Sequence, residues 1–323
     1  MQAPKFWDKK NSLLSKILSP AGKVYAWMVA HRLAHHRPYQ AKIPVICVGN
    51  ISVGGTGKTP VCIALLNLLE QHQYTPWFLN HGYQATQKSV LVNSRSHSAL
   101  DVGDEALLFA QFAPTIVDNA RARGAQLAEK LGASLLIMDD GFQNPTLVKT
   151  FSFVVVDGIK GFGNERVLPA GPLRESVLKG LKRADAVVLA GTDKWGVQNY
   201  LKENKIDLPL LTGKFIPDKQ DLKKISNRPV FAFAGLGNPQ KFFDMLVAEG
   251  IQVVGTQKFP DHYFYTRFDI EDLKKKAQGA LLVTTTKDWV KVPPEMCSGI
   301  IQIKGAFCFD DPQEVWNILK ENL

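Results

Sequence analysis

Three glycines, two threonines and a lysine crowd into Gly54-Gly55-Thr56-Gly57-Lys58-Thr59, after the apolar run 43–48 and before the apolar stretch 61–69. A glycine-rich turn between a strand and a helix aims several backbone N–H groups at one point, which is the chemistry of phosphate binding. In such a loop Lys58 supplies charge to the β- and γ-phosphates of a nucleotide, and the Thr59 hydroxyl can ligate Mg²⁺. The match to GxxxxGK[ST] is imperfect, because Ser52 holds the first glycine position. Some 80 residues on, SLLIMDDGFQ (134–143) is an apolar run ending in Asp139 and Asp140. Carboxylates at the C-terminal end of a buried strand can hold Mg²⁺ directly or through water, and either aspartate could be that ligand.

Three further clusters are weaker on their own. Val102-Gly103-Asp104-Glu105 opens a helical pattern, where acids also serve as caps and dipole partners. Its chemical reading is a base that takes a proton from an acceptor hydroxyl. Phe259-Pro260-Asp261-His262-Tyr263 could be a turn with an incidental histidine, and in PAGPLRE (169–175) Arg174 and Glu175 could simply pair on the surface.

These residues need a scaffold, and the rest of the chain supplies a pattern for one. Val/Ile/Leu-rich runs near 43–48, 77–79, 115–117, 134–138, 151–156 and 186–189 alternate with helical patterns. The alternation returns at 229–234, 251–254, 280–284 and 299–303. Such runs indicate parallel strands covered on both faces, an α/β architecture. The expected organisation is a basic arm (1–42), a P-loop-type parallel-sheet domain (43–218) and a smaller α/β domain (219–323) whose last helix can pack back on the first. The Pro- and Lys-containing stretch 205–228 reads as a linker.

The composition of the 323 residues is that of a folded globular protein, not a disordered or collagen-like one. Four scattered cysteines form no CxxC pair or zinc-finger spacing, which suggests free thiols in a reducing compartment. The net charge of +9 is uneven: residues 1–42 hold eight basic side chains against Asp8 alone, leaving the body nearly neutral. A basic face for nucleic acid over the whole molecule is therefore not expected. No run reaches the roughly 18–20 apolar residues of a membrane span, and the start lacks a signal-peptide core. In the arm, Phe6, Trp7, Leu13, Leu14, Ile17 and Leu18 line one side of a helical pattern bordered by lysines, broken at Ser19-Pro20-Ala21-Gly22. The stripe fits either an interfacial helix on an anionic membrane or an amphipathic helix docked on its own domain.

Together the segments resemble the tetraacyldisaccharide 4'-kinases of lipid A assembly. The shared pattern is VGNISVGGTGKTP (48–60), GY (82–83), VGDE (102–105), DDGFQ (139–143), GFGNERVLPAGPLRE (161–175) and LKRADAVVL (181–189). It continues through FAGLGNPQKFF (233–243), FPDHYFYT (259–266) and VTTTKDWVK (283–291), in family order over about 250 residues. The resemblance implies transfer of the ATP γ-phosphoryl group to the 4'-hydroxyl of a tetraacyldisaccharide 1-phosphate, giving lipid IVA. It also implies Mg²⁺ and a peripheral place on the cytoplasmic face of a bacterial inner membrane. Carried over by position, Asp104 is the base assisted by His262. Lys58 and Thr59 keep their P-loop roles with Gly54, Gly55, Thr56 and Gly57. Thr59, Asp139 and Asp140 form the metal shell, with Glu105 supporting Asp104 or the metal. Tyr83, Arg121, Arg174 and Glu175 hold the sugar and its phosphate. Departures from the family pattern are His81 for Arg, Asn144 for His and Thr286 for an acid. A lipid acceptor also favours the interfacial reading of the arm. The competing class is a membrane-peripheral P-loop ATPase switch, which has no need of PAGPLRE or FPDH. A guanine-reading switch fails because Asp288 directly follows Lys287.

Overall fold

The computed structural model describes residues 4–323, so the first three residues of the arm lie outside the described residues. The strands are β1 (Val45–Gly49), β2 (Pro76–Asn80), β3 (Val90–Leu91), β4 (Thr115–Val117), β5 (Leu135–Asp139), β6 (Phe151–Asp157) and β7 (Ala186–Ala190). They continue as β8 (Leu210–Pro217), β9 (Val230–Ala234), β10 (Val253–Lys258), β11 (Leu281–Thr285), β12 (Ile300–Ile303) and β13 (Gly305–Phe309).

Nine of them form one sheet in the order β13-β8-β7-β6-β1-β5-β2-β4-β3. Only the two edge pairings, β13 with β8 and β3 with β4, are antiparallel. The inner strands β1, β5 and β6 are buried along their whole length, as apolar runs covered on both faces must be. One apolar core gathers around Cys47, Leu136, Met138, Val154 and Val187. The other face packs Ile46, Val48, Ile137 and Val155 against the helix Lys58–Gln71. The phosphate loop therefore leaves the sheet at its middle, with the ends of β5 and β6 on either side, where ligands of open α/β sheets bind. A second, all-parallel sheet has the order β10-β9-β11-β12 and its own two cores.

Three expectations differ from the fold. The stretch 205–228 is not a plain linker: it contains β8 and the helix Lys219–Ile225. The apolar residues of the half-exposed β8 are split by Thr212, Gly213 and Lys214 and form no continuous run, and its antiparallel partner β13 is brought back from beyond residue 300. Strand β13 accordingly belongs to the first sheet, not to the smaller domain, while the helix Pro312–Lys320 packs on the first sheet through Val315 and Leu319 as expected. Third, the arm's helix does not break at Pro20 but runs unbroken from Leu13 to Ala34.

That helix packs with its small side. Ser15, Gly22 and Val29 are its buried residues, and a Cβ on Gly22 would stand 2.8 Å from the carbonyl of Val167. Its anchor is the segment 164–175. Asn164 donates to Ser15 Oγ at 2.6 Å and Arg166 to Ser19 Oγ at 2.5 Å. Trp7, in the short turn Lys5–Asp8, donates to Pro169 O at 3.2 Å. The far end of the same segment pairs with the phosphate loop: Val53 N donates to Pro172 O and Arg174 N to Ile51 O, both at 2.8 Å. One strip of chain thus ties the N-terminal helix to the phosphate loop.

Candidate active site

The phosphate loop follows β1 because Gly54 and Gly57 take φ of 107° and 97°, left-handed conformations that side chains resist. Gly57 caps the helix Lys58–Gln71, and Asn50 braces the turn by donating to Thr56 Oγ1 at 3.2 Å. Lys58 is mostly buried, with its ammonium 3.7 Å from Asp140 Oδ1. Thr59 follows in the first turn of the helix. Across the loop stands the second sheet's connection 235–239. A Cβ added to Gly237 would lie 2.7 Å from Gly55 N and 3.2 Å from Asp261 Oδ2. No larger residue than glycine fits between the phosphate loop and the FPDH turn without displacing one of them.

The two aspartates that end β5 differ sharply. Asp140 is gripped by Arg174 through both oxygens, at 2.9 and 3.2 Å, and faces Lys58. Burial opposes its ionisation, but Lys58 and Arg174 overcome that and hold the carboxyl down at about 2. Asp139 is buried, accepts from Asn80 at 3.0 Å and from the Cys62 thiol at 3.8 Å, and pairs with no cation among the described residues. Burial and the nearby charges of Glu105 and Asp140 push its carboxyl well up.

Asp104 is only 2% exposed, at the start of the helix Asp104–Phe109. His262 Nδ1 straddles its carboxylate at 3.0 and 3.1 Å, and Lys291 stands 3.6 Å from Oδ2. Burial alone would push Asp104 up; the hydrogen bond from His262 and the charges of Lys287 and Lys291 hold it well below the usual carboxylate range. Glu105 pairs with Lys287 at 3.0 Å. With Asp104 ionised, His262 Nδ1 is the nitrogen that donates to it, and Nε2 stands 3.9 Å from Asp261 Oδ2. The ring of Tyr83, 52% exposed, lies beside this imidazole with centroids 4.8 Å apart.

The structure therefore gathers Gly54, Gly55, Thr56, Gly57, Lys58, Thr59, Asp139, Asp140, Asp104, Glu105, Tyr83, Arg174 and His262 around one edge of the large sheet, faced by the FPDH turn. Two expected substrate ligands are not free to serve. Arg121 is 2% exposed, with its guanidinium donating to the main-chain oxygen of Asp139 at 2.7 Å. It supports the end of β5 and shows no face to a sugar. Glu175 is buried in a bidentate pair with Arg183, at 2.7 and 2.9 Å, and accepts from Gln143 at 3.0 Å.

Gln143, not singled out from sequence, is a junction. Its Nε2 also donates to Asn50 O at 2.7 Å, its Oε1 accepts from Arg174 at 3.2 Å, and its main-chain oxygen accepts from Arg32 at 3.2 Å. Asn80, at the C-terminal end of β2, was signalled only by that position. Of the residues that replace the family's usual ones, Asn144 shapes its own turn by accepting from Thr146, and Thr286 starts the short helix after β11.

The donor set suits Mg²⁺. Asp139 is a buried carboxylate without a cation, and it stands among the negative charges of Glu105 and Asp140. Asn50 Oδ1, buried at the base of the loop, has no hydrogen-bond partner within the protein among the described residues. No group of three His, Cys, Asp or Glu side chains among the described residues forms a cage, and Mg²⁺ requires none when phosphates and waters complete its shell.

A sequence profile described as tetraacyldisaccharide-1-P 4'-kinase matches residues 14–323. The tetraacyldisaccharide 4'-kinase of Paramagnetospirillum magneticum is 44% identical over 317 residues, covering 97% of this chain and 96% of that protein. That of Rhodospirillum rubrum is 43% identical over 316 residues, covering 97% and 95%. The crystal structure of LpxK from Aquifex aeolicus in complex with ATP superposes with a TM-score of 0.75 at 28% identity, over 96% of this chain and 99% of that one.

Proposed function

This chain belongs to the tetraacyldisaccharide-1-P 4'-kinase family, and we propose that the gathered side chains carry out that family's phosphoryl transfer. The protein is an ATP-dependent lipid kinase. It moves the γ-phosphoryl group of ATP to the 4'-hydroxyl of a tetraacyldisaccharide 1-phosphate, forming lipid IVA. The observation that carries the assignment of residues is the contact of His262 with Asp104, made beside the phosphate loop by a turn that Gly237 keeps against Gly55.

The backbone N–H groups of 54–57 and Lys58 hold the triphosphate. Thr59 and Asp139, with Asp140 and Glu105 beside them, would hold Mg²⁺, which when bound neutralises phosphate charge and polarises the transferred group. Asp104 has both oxygens engaged and almost no exposure, so His262 Nε2 is the atom open to the acceptor. The acceptor oxygen bonds to the γ-phosphorus while the bond from phosphorus to the β,γ-bridging oxygen breaks and ADP leaves. The hydroxyl proton passes to Nε2, and Asp104 stabilises the imidazolium that results. Asp104 and His262 thus act as one base. Tyr83 forms a wall for the sugar beside the imidazole, and Arg174, partly exposed over Asp140, meets an anionic group of either substrate.

The N-terminal helix supplies the lipid side of the proposal. An amphipathic helix docked on its own domain buries its apolar stripe. Here Leu13 is 73%, Ile17 65%, Val24 59%, Trp27 65% and Met28 58% exposed, while Ser15 and Gly22 face inward. No helix among the described residues is long and apolar enough to cross a membrane. The outward stripe, with Lys16 and Lys23 beside it, is suited to lie in the headgroup boundary of an anionic leaflet. We place the protein as a peripheral enzyme on the cytoplasmic face of a bacterial inner membrane, where such an acceptor is presented.

Purified full-length protein with Mg-ATP and tetraacyldisaccharide 1-phosphate in detergent micelles should yield the 4'-phosphorylated lipid. ATP hydrolysis on liposomes without acceptor, and no lipid product, would instead identify an ATPase switch. Ile17→Ser with Trp27→Ser should lower partitioning onto anionic vesicles by about tenfold or more, since each exposed side chain loses on the order of 1 kcal/mol of burial. Unchanged partitioning would remove the helix from the membrane.

A further inference from the structure

The segment VTTTKDWVK (283–291) has so far entered only as a family signature. In the fold it leaves β11, turns through the short helix Thr286–Trp289 and ends at Lys291. Lys287 and Lys291 are four residues apart, and both ammonium groups reach across to acids of the large-sheet unit: Lys287 to Glu105, Lys291 to Asp104.

Lys291 differs from its neighbour in how it is held. Its side chain is wholly buried. The ammonium is 3.0 Å from Asp288 Oδ1, donates to the carbonyl of Gly235 at 3.4 Å and lies 6.0 Å from the Tyr265 ring centroid. Asp288 is itself fixed, accepting from Gly235 N at 2.9 Å, Tyr265 Oη at 3.0 Å and Thr285 Oγ1 at 2.8 Å. Apart from Asp104, the groups that hold this charge in place all belong to the small-sheet unit. On the other side, Asp104 has two oxygens and two partners from that unit, His262 Nδ1 and Lys291 Nζ. Its own helix adds Glu105 N, which donates to Oδ1 at 2.9 Å, so Lys291 is the contact that bears on Oδ2 besides His262, and the plane these contacts hold sets the direction of His262 Nε2.

We infer that Lys291 is a positioning residue for phosphoryl transfer, acting through Asp104 to aim His262 from the opposite sheet unit. The inference rests on the reading of Asp104 and His262 as the base. It makes the base a composite that is complete only when the 283–291 segment is seated against Asp104. Thr286, where the family carries an acid, precedes both lysines and leaves their contacts intact.

The test uses the full chain with Mg-ATP and tetraacyldisaccharide 1-phosphate in mixed micelles, with thermal melts alongside. Lys291→Gln should lower kcat by about 10- to 100-fold, the scale of a small misplacement of a reacting group, with the KM for ATP within twofold. Lys291→Arg, which keeps a cation, should recover part of that loss. In an Asp104→Asn background, Lys291→Gln should change kcat less than twofold, because the group through which it acts is already lost. If the loss is as large in that background as in the wild type, Lys291 acts independently of Asp104 and the inference falls. It falls equally if Lys291→Gln retains full kcat. An Asp104→Asn protein with full activity would refute the base itself, a separate result read without any change at Lys291. If Lys291→Gln does not fold, Lys291→Gln with Asp288→Asn removes the buried acid together with its cation and carries the same comparison.

Discussion

Two acidic pairs stand side by side at the edge of the large sheet, and their buried members are shifted in opposite directions. Asp139-Asp140 ends β5, and Asp104-Glu105 begins a helix. Each pair has one deeply buried member, Asp139 or Asp104, and one that is partly exposed. Burial pushes both hidden carboxyls up, yet Asp104 is held well below the ordinary range and Asp139 well above it. The difference lies in the origin of the cations. Lys287, Lys291 and His262 reach Asp104 and Glu105 from the second sheet unit, whereas Lys58 and Arg174 engage Asp140 and leave Asp139 without a paired cation among the described residues. One hidden carboxylate is supplied with its counter-charges by the fold; the other stands where an added cation would supply them. Equal burial thus yields two carboxyls of opposite tendency, which is the basis for proposing one as the proton-handling site and the other as the metal-handling one.

The strongest way to break this comparison is to remove the compensated member. Asp104→Ala should lower kcat by about 10²- to 10⁴-fold, the usual contribution of general-base catalysis, while ATP binding measured by calorimetry stays within a few-fold of wild type. A parallel loss of ATP affinity would mean that Asp104 belongs to the nucleotide site and that the two pairs are not distinct.

A smaller effect sharpens the contrast through stability. Asp104 is depressed, so its ionised form stabilises the fold above the unfolded carboxyl value near 4 and that contribution is lost as pH falls. Asp139 is raised, so its ionisation costs stability as pH climbs above the ordinary carboxylate range. In thermal melts without Mg²⁺ or nucleotide, Asp104→Asn should lower Tm at pH 7, with the gap holding down to about pH 4 and narrowing only below it. Asp139→Asn should raise Tm by a few degrees at pH 8 and by less at pH 5, because the introduced amide still presents an oxygen to Asn80. Shifts of the same sign in both variants would show that the pairs do not differ in compensation.

The half of the site carried by contiguous sequence was legible. The phosphate loop and the β5 aspartates each combine an apolar strand, special backbone and charged ends within a short contiguous stretch, and those signals are local. The other half depends on contacts between residues more than 150 positions apart: His262 with Asp104, and Lys287 and Lys291 with the 104–105 pair. Resemblance gave His262 a role, but no spacing rule could bring Lys291 to Asp104. Arg121 and Glu175 show the reverse failure. A charged residue in a motif reads alike whether it faces a substrate or a buried carbonyl, and only packing revealed that Arg121 supports β5 and that Glu175 is committed to Arg183. Strand β8 was hidden for a related reason: its apolar residues, interrupted by Thr212, Gly213 and Lys214, become a strand by pairing with β13, which arrives some 90 residues later.

The strip 164–175 grips Ser15 and Ser19 at one end and backs the phosphate loop at Ile51 and Val53 at the other. With the helix Leu13–Ala34 seated in a leaflet, the catalytic edge would ride at a constant height above that plane and search for its acceptor in two dimensions. Its saturation would then follow the mole fraction of acceptor in the surface rather than the bulk amount, so that diluting the acceptor with inert lipid or detergent at constant total acceptor would slow turnover.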